Sequence, residues 1–427
     1  MANVSVEKRI PAFVDVPFLQ RVLEENLNHD AVRVDGFTAQ IATKPGDNYS
    51  SDVFTIVVHY NGDREIRLVA KIVVGAEVIK TFAEKLNAFT KEVYTFRTLL
   101  PTFTRIVADG RTDDSVQFGA RCFYATREPV DTIVFEDLKH RGYQLADRTR
   151  GGLDLAHCEL IMRKIGLFHA ASMVYVAQGS TERRLFTERY SRGIACPGED
   201  TTSNPALVMF YNGLVKFLEV SANWPELDRT IWRKLEALQS DYTRRVIECL
   251  SAEGDDQPED GYRVLNHGDL WGNNMMFRYG KDEIVQEVMF VDYQLSNYGS
   301  PGLDLVYCLY NCAQFEVREN RINDLLQVYY GSLCEGLRIG GYQQRKPTFD
   351  DVLKEFARHE FIGLVSGLSM LPIIMMERTE CDAELSFDNL LEGQHAEKLR
   401  DIQYQGKLYR QSVIPILERF HARGLLD

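Results

Sequence analysis

The sequence predicts an α+β protein of two unlike lobes, β-rich at the N-terminal end and mainly helical beyond. Three observations predict it. The first third alternates apolar and polar residues with the period of strands, the remainder repeats them with the period of helices, and the change falls where Glu136-Asp137-Leu138 runs out into polar residues and Gly142. The expected lobes are residues 1–137 and 138–427.

Residues 32–42, 53–60 and 66–74 read as consecutive antiparallel strands, the last two joined by an Asn61-Gly62 turn. Residues 77–100 carry Phe82, Leu86, Phe89, Val93, Phe96 and Leu100 at helical spacing, in a helix that Pro101 is expected to end. Residues 121–125 and 132–135 add further strands to the first lobe. Helices are then expected at 155–178, 206–220, 228–252, 322–337, 349–376 and 395–423, with clear strands only at 264–266 and 288–292.

Composition narrows the function. A formal net charge of −13 opposes a nucleic-acid partner, because phosphate backbones are held by clustered Lys and Arg. Residues 1–11 include Glu7, Lys8 and Arg9 but no apolar run of a secretory signal, so a cytoplasmic location is expected. The longest apolar run, residues 361–376, is too short for a membrane span and is interrupted by Gly363, Gly367 and Pro372. Eight cysteines without a CxxC pair suggest neither a disulfide framework nor a zinc cage, and no obligate protein partner is inferred.

The strongest chemical signal is His267-Gly268-Asp269-Leu270-Trp271-Gly272-Asn273-Asn274, followed by an apolar strand ending in Asp292. Phosphoryl transfer needs an acid residue to take the proton of the attacking hydroxyl and oxygen ligands for the metal that neutralises the triphosphate. Asp269 suits the catalytic base, and Asn274 and Asp292 suit the magnesium ligands, in the order and spacing that kinase chemistry uses.

Upstream, Lys71 sits in the middle of an apolar strand, where an unpaired ammonium is costly, so an anionic partner is expected. Such a lysine holds the phosphates of ATP and is tethered by a glutamate of the next helix; Glu92 is the natural candidate and Glu84 its competitor. The turn of residues 44–51, with Asn48 and Ser50 as candidates, has backbone N–H groups able to cover phosphates, although it is not a GxGxxG loop and also reads as a plain hairpin turn. Main-chain groups of Glu136 to Leu138 are placed to bond an adenine edge. His169, beside Phe168 and Ala170, reads as a satisfied core histidine.

Together with Val69-Ala70-Lys71, Glu92-Val93-Tyr94, His169-Ala170-Ala171-Ser172, Asp292-Tyr293-Gln294 and Pro301-Gly302-Leu303-Asp304, these segments resemble the ecdysteroid kinase-like proteins of insects. That family, also described as CHK kinase-like, stands with choline kinases and aminoglycoside phosphotransferases in the bilobal protein-kinase-like fold. The resemblance spans residues 32–409, and Trp271 and Gln294 separate this group from ordinary aminoglycoside kinases. It implies ATP and magnesium as cofactors and, as substrate, a hydroxyl of a steroid such as an ecdysteroid or of a xenobiotic alcohol. By the same resemblance Asp304 supports the catalytic loop. The alternatives are a choline- or aminoglycoside-type kinase and a nucleotide or hormone binder without catalysis. A protein kinase is disfavoured, because Asp292-Tyr293-Gln294 stands where Asp-Phe-Gly would.

Overall fold

A computed structural model describes residues 10–27, 32–42, 51–73, 77–110, 116–147, 151–179, 184, 186, 188–198, 200–251, 262–376 and 402–427. Strands β1 (Val34–Ile41), β2 (Ser51–Tyr60), β3 (Arg64–Val73), β4 (Cys122–Thr126) and β5 (Thr132–Glu136) form an antiparallel sheet in the order β1-β2-β3-β5-β4. The period of two gives each strand two faces. Phe54, Ile56 and Val58 of β2 and Leu68, Ala70 and Ile72 of β3 are buried in a small core with Phe18, Leu19, Val22 and Leu23. Those last four belong to a helix, α1 (Val16–Leu27), which Asp15 begins by accepting from the Phe18 N–H. Val53, Thr55, Val69 and Lys71 are left on the opposite face of the sheet, which lines a cavity.

Helix α1 has no counterpart in the sequence reading, although Asp15 ahead of an i, i+1, i+4, i+5 apolar set is a helix-start signal. The expected single helix at 77–100 is instead α2 (Glu77–Lys85), a left-handed residue at Asn87 with φ of 54°, and α3 (Ala88–Tyr94). Nor does Pro101 end it. The Leu100 N–H bonds to the Thr95 carbonyl five residues back, and at this wide turn proline, which has no N–H, fits as at a helix start, so α4 runs on over Leu100–Val107.

The C-terminal lobe is built around α5 (Leu155–Ala177), packed along the helix Ile322–Ile339. α5 has the length and apolar composition of a membrane-crossing helix, but most of it is buried inside the lobe. The expected helix at 228–252 is interrupted: Arg229–Leu238 ends and Tyr242–Leu250 restarts beyond Ser240-Asp241. The expected helix at 349–376 is likewise broken, by Glu360 and a wide turn at Ser366–Met370. Of the helix expected at 395–423, Lys407–Ala422 is observed, while residues 395–401 lie outside the described residues.

Three strands absent from the sequence reading complete the lobe. β6 (Tyr143–Leu145), β8 (Met275–Tyr279) and β9 (Val285–Phe290) form one sheet, and β7 (Val264–Asn266) pairs with β10 (Asn297–Gly299). β6, β8 and β10 have three to five residues each, too few for alternation to show. The order β7, loop, β8, β9, loop, β10 brings the segment after Asn266 beside the segment after Phe290. The architecture is the bilobal kinase-like α+β fold that the sequence predicts.

Candidate active site

The loop after β7 is held in place from behind. Asp304, in the first turn of the helix Gly302–Cys312, accepts from the backbone N–H of His267 at 2.7 Å and of Gly268 at 2.9 Å. His169 Nε2 lies 3.2 Å from the same carboxylate and its Nδ1 2.9 Å from the Tyr329 hydroxyl, so it is a core histidine that burial keeps neutral. Ser172, one turn further along α5, accepts from the Leu265 N–H at 2.9 Å and ties β7 to that helix.

His267 bridges the two loops. Its Nε2 lies 3.0 Å from the Val291 carbonyl and its Nδ1 accepts from the Asp269 N–H at 3.3 Å. Burial lowers its pKa, and a neutral ring with the proton on Nε2 satisfies both bonds. Gly268 has φ of +85°, and a Cβ there would run into the Leu295 backbone carbonyl. Gly268→Ala is therefore expected to lose roughly 1–3 kcal/mol from backbone strain alone, and more from the clash, as read by urea denaturation.

The loop presents Asp269 at the cleft. Its Oδ2 accepts from Asn274 Nδ2 at 2.8 Å and from Trp271 Nε1 at 3.3 Å, and its Oδ1 from the Tyr307 hydroxyl at 3.0 Å. Burial pushes the carboxyl up to about 7, helped by the Asp292 carboxylate and opposed by these three donors. Asn274 also donates to the Asp269 carbonyl at 2.9 Å, so its amide N–H₂ is committed to Asp269 and its Oδ1 is left as an acceptor.

Asp292 stands in a left-handed conformation with φ of 66°, which an L side chain holds only under local constraint. Its Oδ1 accepts from Lys71 Nζ at 2.8 Å, and the same ammonium donates to Glu92 Oε1 and Oε2 at 2.9 and 2.8 Å. Burial opposes the charge on Lys71, but Asp292 and Glu92 outweigh it and raise its pKa, so it is an ammonium throughout the working range. Glu84 is not in this cluster; Glu92, buried on α3, is the partner of Lys71.

Five of the sequence-derived candidates, Lys71, Glu92, Asp269, Asn274 and Asp292, are thus brought together from four separate segments. They line one cavity of about 250 Å³ between the sheet and the helical lobe. Its walls are apolar, with Val53, Val69 and Phe135 on the sheet side and Met276 and Val291 on the other. Glu136 and Leu138 line it as well. The Glu136 carboxylate turns to Arg141 at 2.8 Å and to the Arg121 N–H, and its own N–H donates to the Arg121 carbonyl at 2.9 Å, so its side chain and N–H are both committed. The Leu138 carbonyl accepts from the N–H groups of Arg141 and Tyr143, which leaves its N–H. Asn48 and Ser50 lie outside the described residues.

A second cavity, of about 230 Å³, shares Asp269, Trp271 and Gln294 with the first. Its lining is apolar away from that junction: Phe82 and Leu86 from α2 and its end, Met209 and Phe210 from the helix Pro205–Ser221, and Ile362, Met370 and Ile373. Sequence reasoning expects an acceptor pocket in the helical lobe near Asp269 but names none of these apolar residues, nor Tyr307; neither has a contiguous motif.

The Ecdysteroid kinase-like family profile matches residues 45–342. The chain belongs to the ecdysteroid kinase-like family. It is accordingly a small-molecule kinase, a phosphotransferase whose substrate is a small molecule. Among solved structures, the apoenzyme of a macrolide 2′-phosphotransferase from Brachybacterium faecium is similar over 91% of this kinase and 99% of its own chain, at 14% identity and a TM-score of 0.39. No curated protein matches the sequence.

Among the described residues no group of three or more His, Cys, Asp or Glu forms a metal cluster. A magnesium ion carried by nucleotide phosphates needs only one or two protein oxygens, because phosphate and water complete its octahedron. Asp292 and the uncommitted Oδ1 of Asn274 are a hard-oxygen pair of that kind, so the residues present fit the ion.

Proposed function

We propose that this kinase transfers the γ-phosphoryl group of ATP to a hydroxyl of a largely apolar small molecule, an ecdysteroid or a xenobiotic alcohol, with magnesium as cofactor and Asp269 as base. The observation that carries the reading is the meeting of two cavities at Asp269: one holds Lys71, Glu92, Asn274 and Asp292, the other is apolar.

Adenine fits between the apolar walls of the first cavity, against the Leu138 N–H, and the phosphates reach Lys71. Asp292 and Asn274 would hold magnesium, which when bound supplies neutralisation of the phosphate charge. The acceptor hydroxyl enters from the second cavity and gives its proton to the Asp269 carboxylate as its oxygen bonds to the γ-phosphorus. The bond from that phosphorus to the ADP oxygen breaks, ADP leaves with the electron pair, and Asp269 later returns its proton to solvent.

The lining of the second cavity favours an apolar acceptor over a cationic one. Among the described residues its carboxylates are Asp269, required for chemistry, and Asp304, committed to two backbone N–H groups. Choline- or aminoglycoside-type recognition would need further anionic groups there. A binder without catalysis would not require Asp269 to be held by three donors at the junction of both cavities.

We place the lobe division at 137/138, where the sheet strand β5 runs into the connector. A cytoplasmic location agrees with the seven described cysteines, all unpaired thiols, as a reducing compartment keeps them.

The test is purified protein with magnesium and ATP against ecdysteroids, choline, aminoglycosides and plant phenolic glycosides, with phosphorylated product read by mass. Product from a steroid or apolar alcohol alone is the expected result. Product from choline or aminoglycosides alone would overturn the acceptor assignment.

A further inference from the structure

The hydrogen bonds on Asp269 point to a residue that directs the reaction. A carboxylate oxygen accepts two hydrogen bonds along its lone pairs. Oδ2 of Asp269 is filled by Asn274 Nδ2 and Trp271 Nε1. Oδ1 takes one described donor, the Tyr307 hydroxyl, at 3.0 Å. Tyr307 stands one turn after Asp304 on the helix Gly302–Cys312, and it lines the apolar cavity together with Asp269. A hydroxyl arriving from that cavity therefore finds one lone pair open, on Oδ1 beside the Tyr307 oxygen.

The terminal torsion of an aspartate is broad and two-fold, so donors on one oxygen alone leave the carboxylate plane loosely set. A third donor on the other oxygen, carried by a different helix, closes that freedom. We propose that Tyr307 is a positioning residue for phosphoryl transfer, whose hydroxyl fixes the Asp269 carboxylate so that the open lone pair of Oδ1 faces the acceptor hydroxyl.

The inference rests on the kinase reading above. In the transfer step the acceptor proton passes to Oδ1, the oxygen–phosphorus bond forms and the bond to ADP breaks. Tyr307 keeps its own proton: burial and the Asp269 carboxylate raise the phenol far above its ordinary range, so it remains a donor. The same geometry selects among hydroxyls, since a polyhydroxylated acceptor must bring one particular oxygen to that lone pair.

Tyr307→Phe removes one hydroxyl and keeps the ring. With a polyhydroxylated steroid as probe, kcat is expected to fall roughly 10- to 100-fold, with KM for ATP within about twofold of wild type and phosphate spread over more than one hydroxyl. A second readout needs no acceptor. The chain has three tryptophans, so the indole ¹⁵N signal of Trp271 can be assigned through Trp271→Phe, and it is expected to move in Tyr307→Phe as the carboxylate it donates to turns. An active wild type, with kcat, site of phosphorylation and indole signal all unchanged in the variant, would overturn the inference alone. A loss of kcat matched by a weakened KM for ATP and an unmoved Trp271 signal would mark Tyr307 as merely structural and overturn it too. A wild type inactive on every hydroxyl would overturn the kinase reading, and the inference with it.

Discussion

Replacing Asp269 by Asn is expected to leave a folded protein that binds ATP and transfers phosphate about 10²- to 10⁴-fold more slowly. The amide has the shape of the carboxylate but cannot take the acceptor proton. ATP binding should survive, because the nucleotide contacts proposed here lie on Lys71, the β5 connector and Asp292. Single-turnover transfer measured beside nucleotide affinity separates the two effects, and turnover comparable to wild type in Asp269→Asn would sink the assignment of the base.

The pH profile gives a second test of the same residue. Burial and the neighbouring Asp292 raise the Asp269 carboxyl to about 7, and only its charged form accepts a proton, so kcat/KM of the free enzyme should fall as pH drops through that value. Magnesium at Asp292 would offset the like charge, so the corresponding limb in kcat should lie at lower pH. Stability moves the other way. A carboxyl whose folded pKa is raised binds its proton more tightly in the native state, so its contribution is present below the unfolded value and is lost as pH rises towards 7. Asp269→Asn should remove that dependence, and melting curves at pH 5 and pH 8 would read it.

How much of this was legible in the sequence depended on whether the chemistry is contiguous. Asp269 and Asn274 sit in one loop of fixed spacing, and Asp292 follows at the end of an apolar strand, so their order could be read directly. Lys71 announced itself as a cation inside an apolar strand. Glu92 could not be separated from Glu84 by pattern, because both lie on the segment read as one helix; the left-handed Asn87 that divides the segment has no strong local signature. The lining of the apolar cavity was invisible for a different reason. Phe82, Phe210, Ile362 and Met370 come from distant segments, and each alone reads as ordinary core. Tyr307 is similarly silent, an aromatic residue on an apolar helix until its hydroxyl is seen 3.0 Å from Asp269.

Lys71→Met is expected to be the most damaging single change, to stability as well as activity. The ammonium is nearly inaccessible to water and is shared by two carboxylates, Glu92 at 2.8 Å and Asp292 at 2.8 Å. Methionine fills a similar volume, yet it leaves two buried anions facing each other, and removing one member of a buried ion cluster costs about 3–5 kcal/mol. The sign of the pH dependence follows. Burial already raises the Glu92 carboxyl and Lys71 is what lowers it, so without Lys71 the variant should be closest to wild type near pH 5, where Glu92 can protonate, and furthest from it near pH 8. Urea denaturation at both pH values would measure this. Millimolar magnesium should return part of the lost stability, since a divalent cation held by Asp292 and Asn274 replaces some of the missing positive charge. Transfer should fall by at least about 10²-fold even where the protein is folded, because the phosphates lose their fixed cation. Stability equal to wild type at pH 8 would mean that the Lys71 ammonium holds phosphate without holding the lobe together.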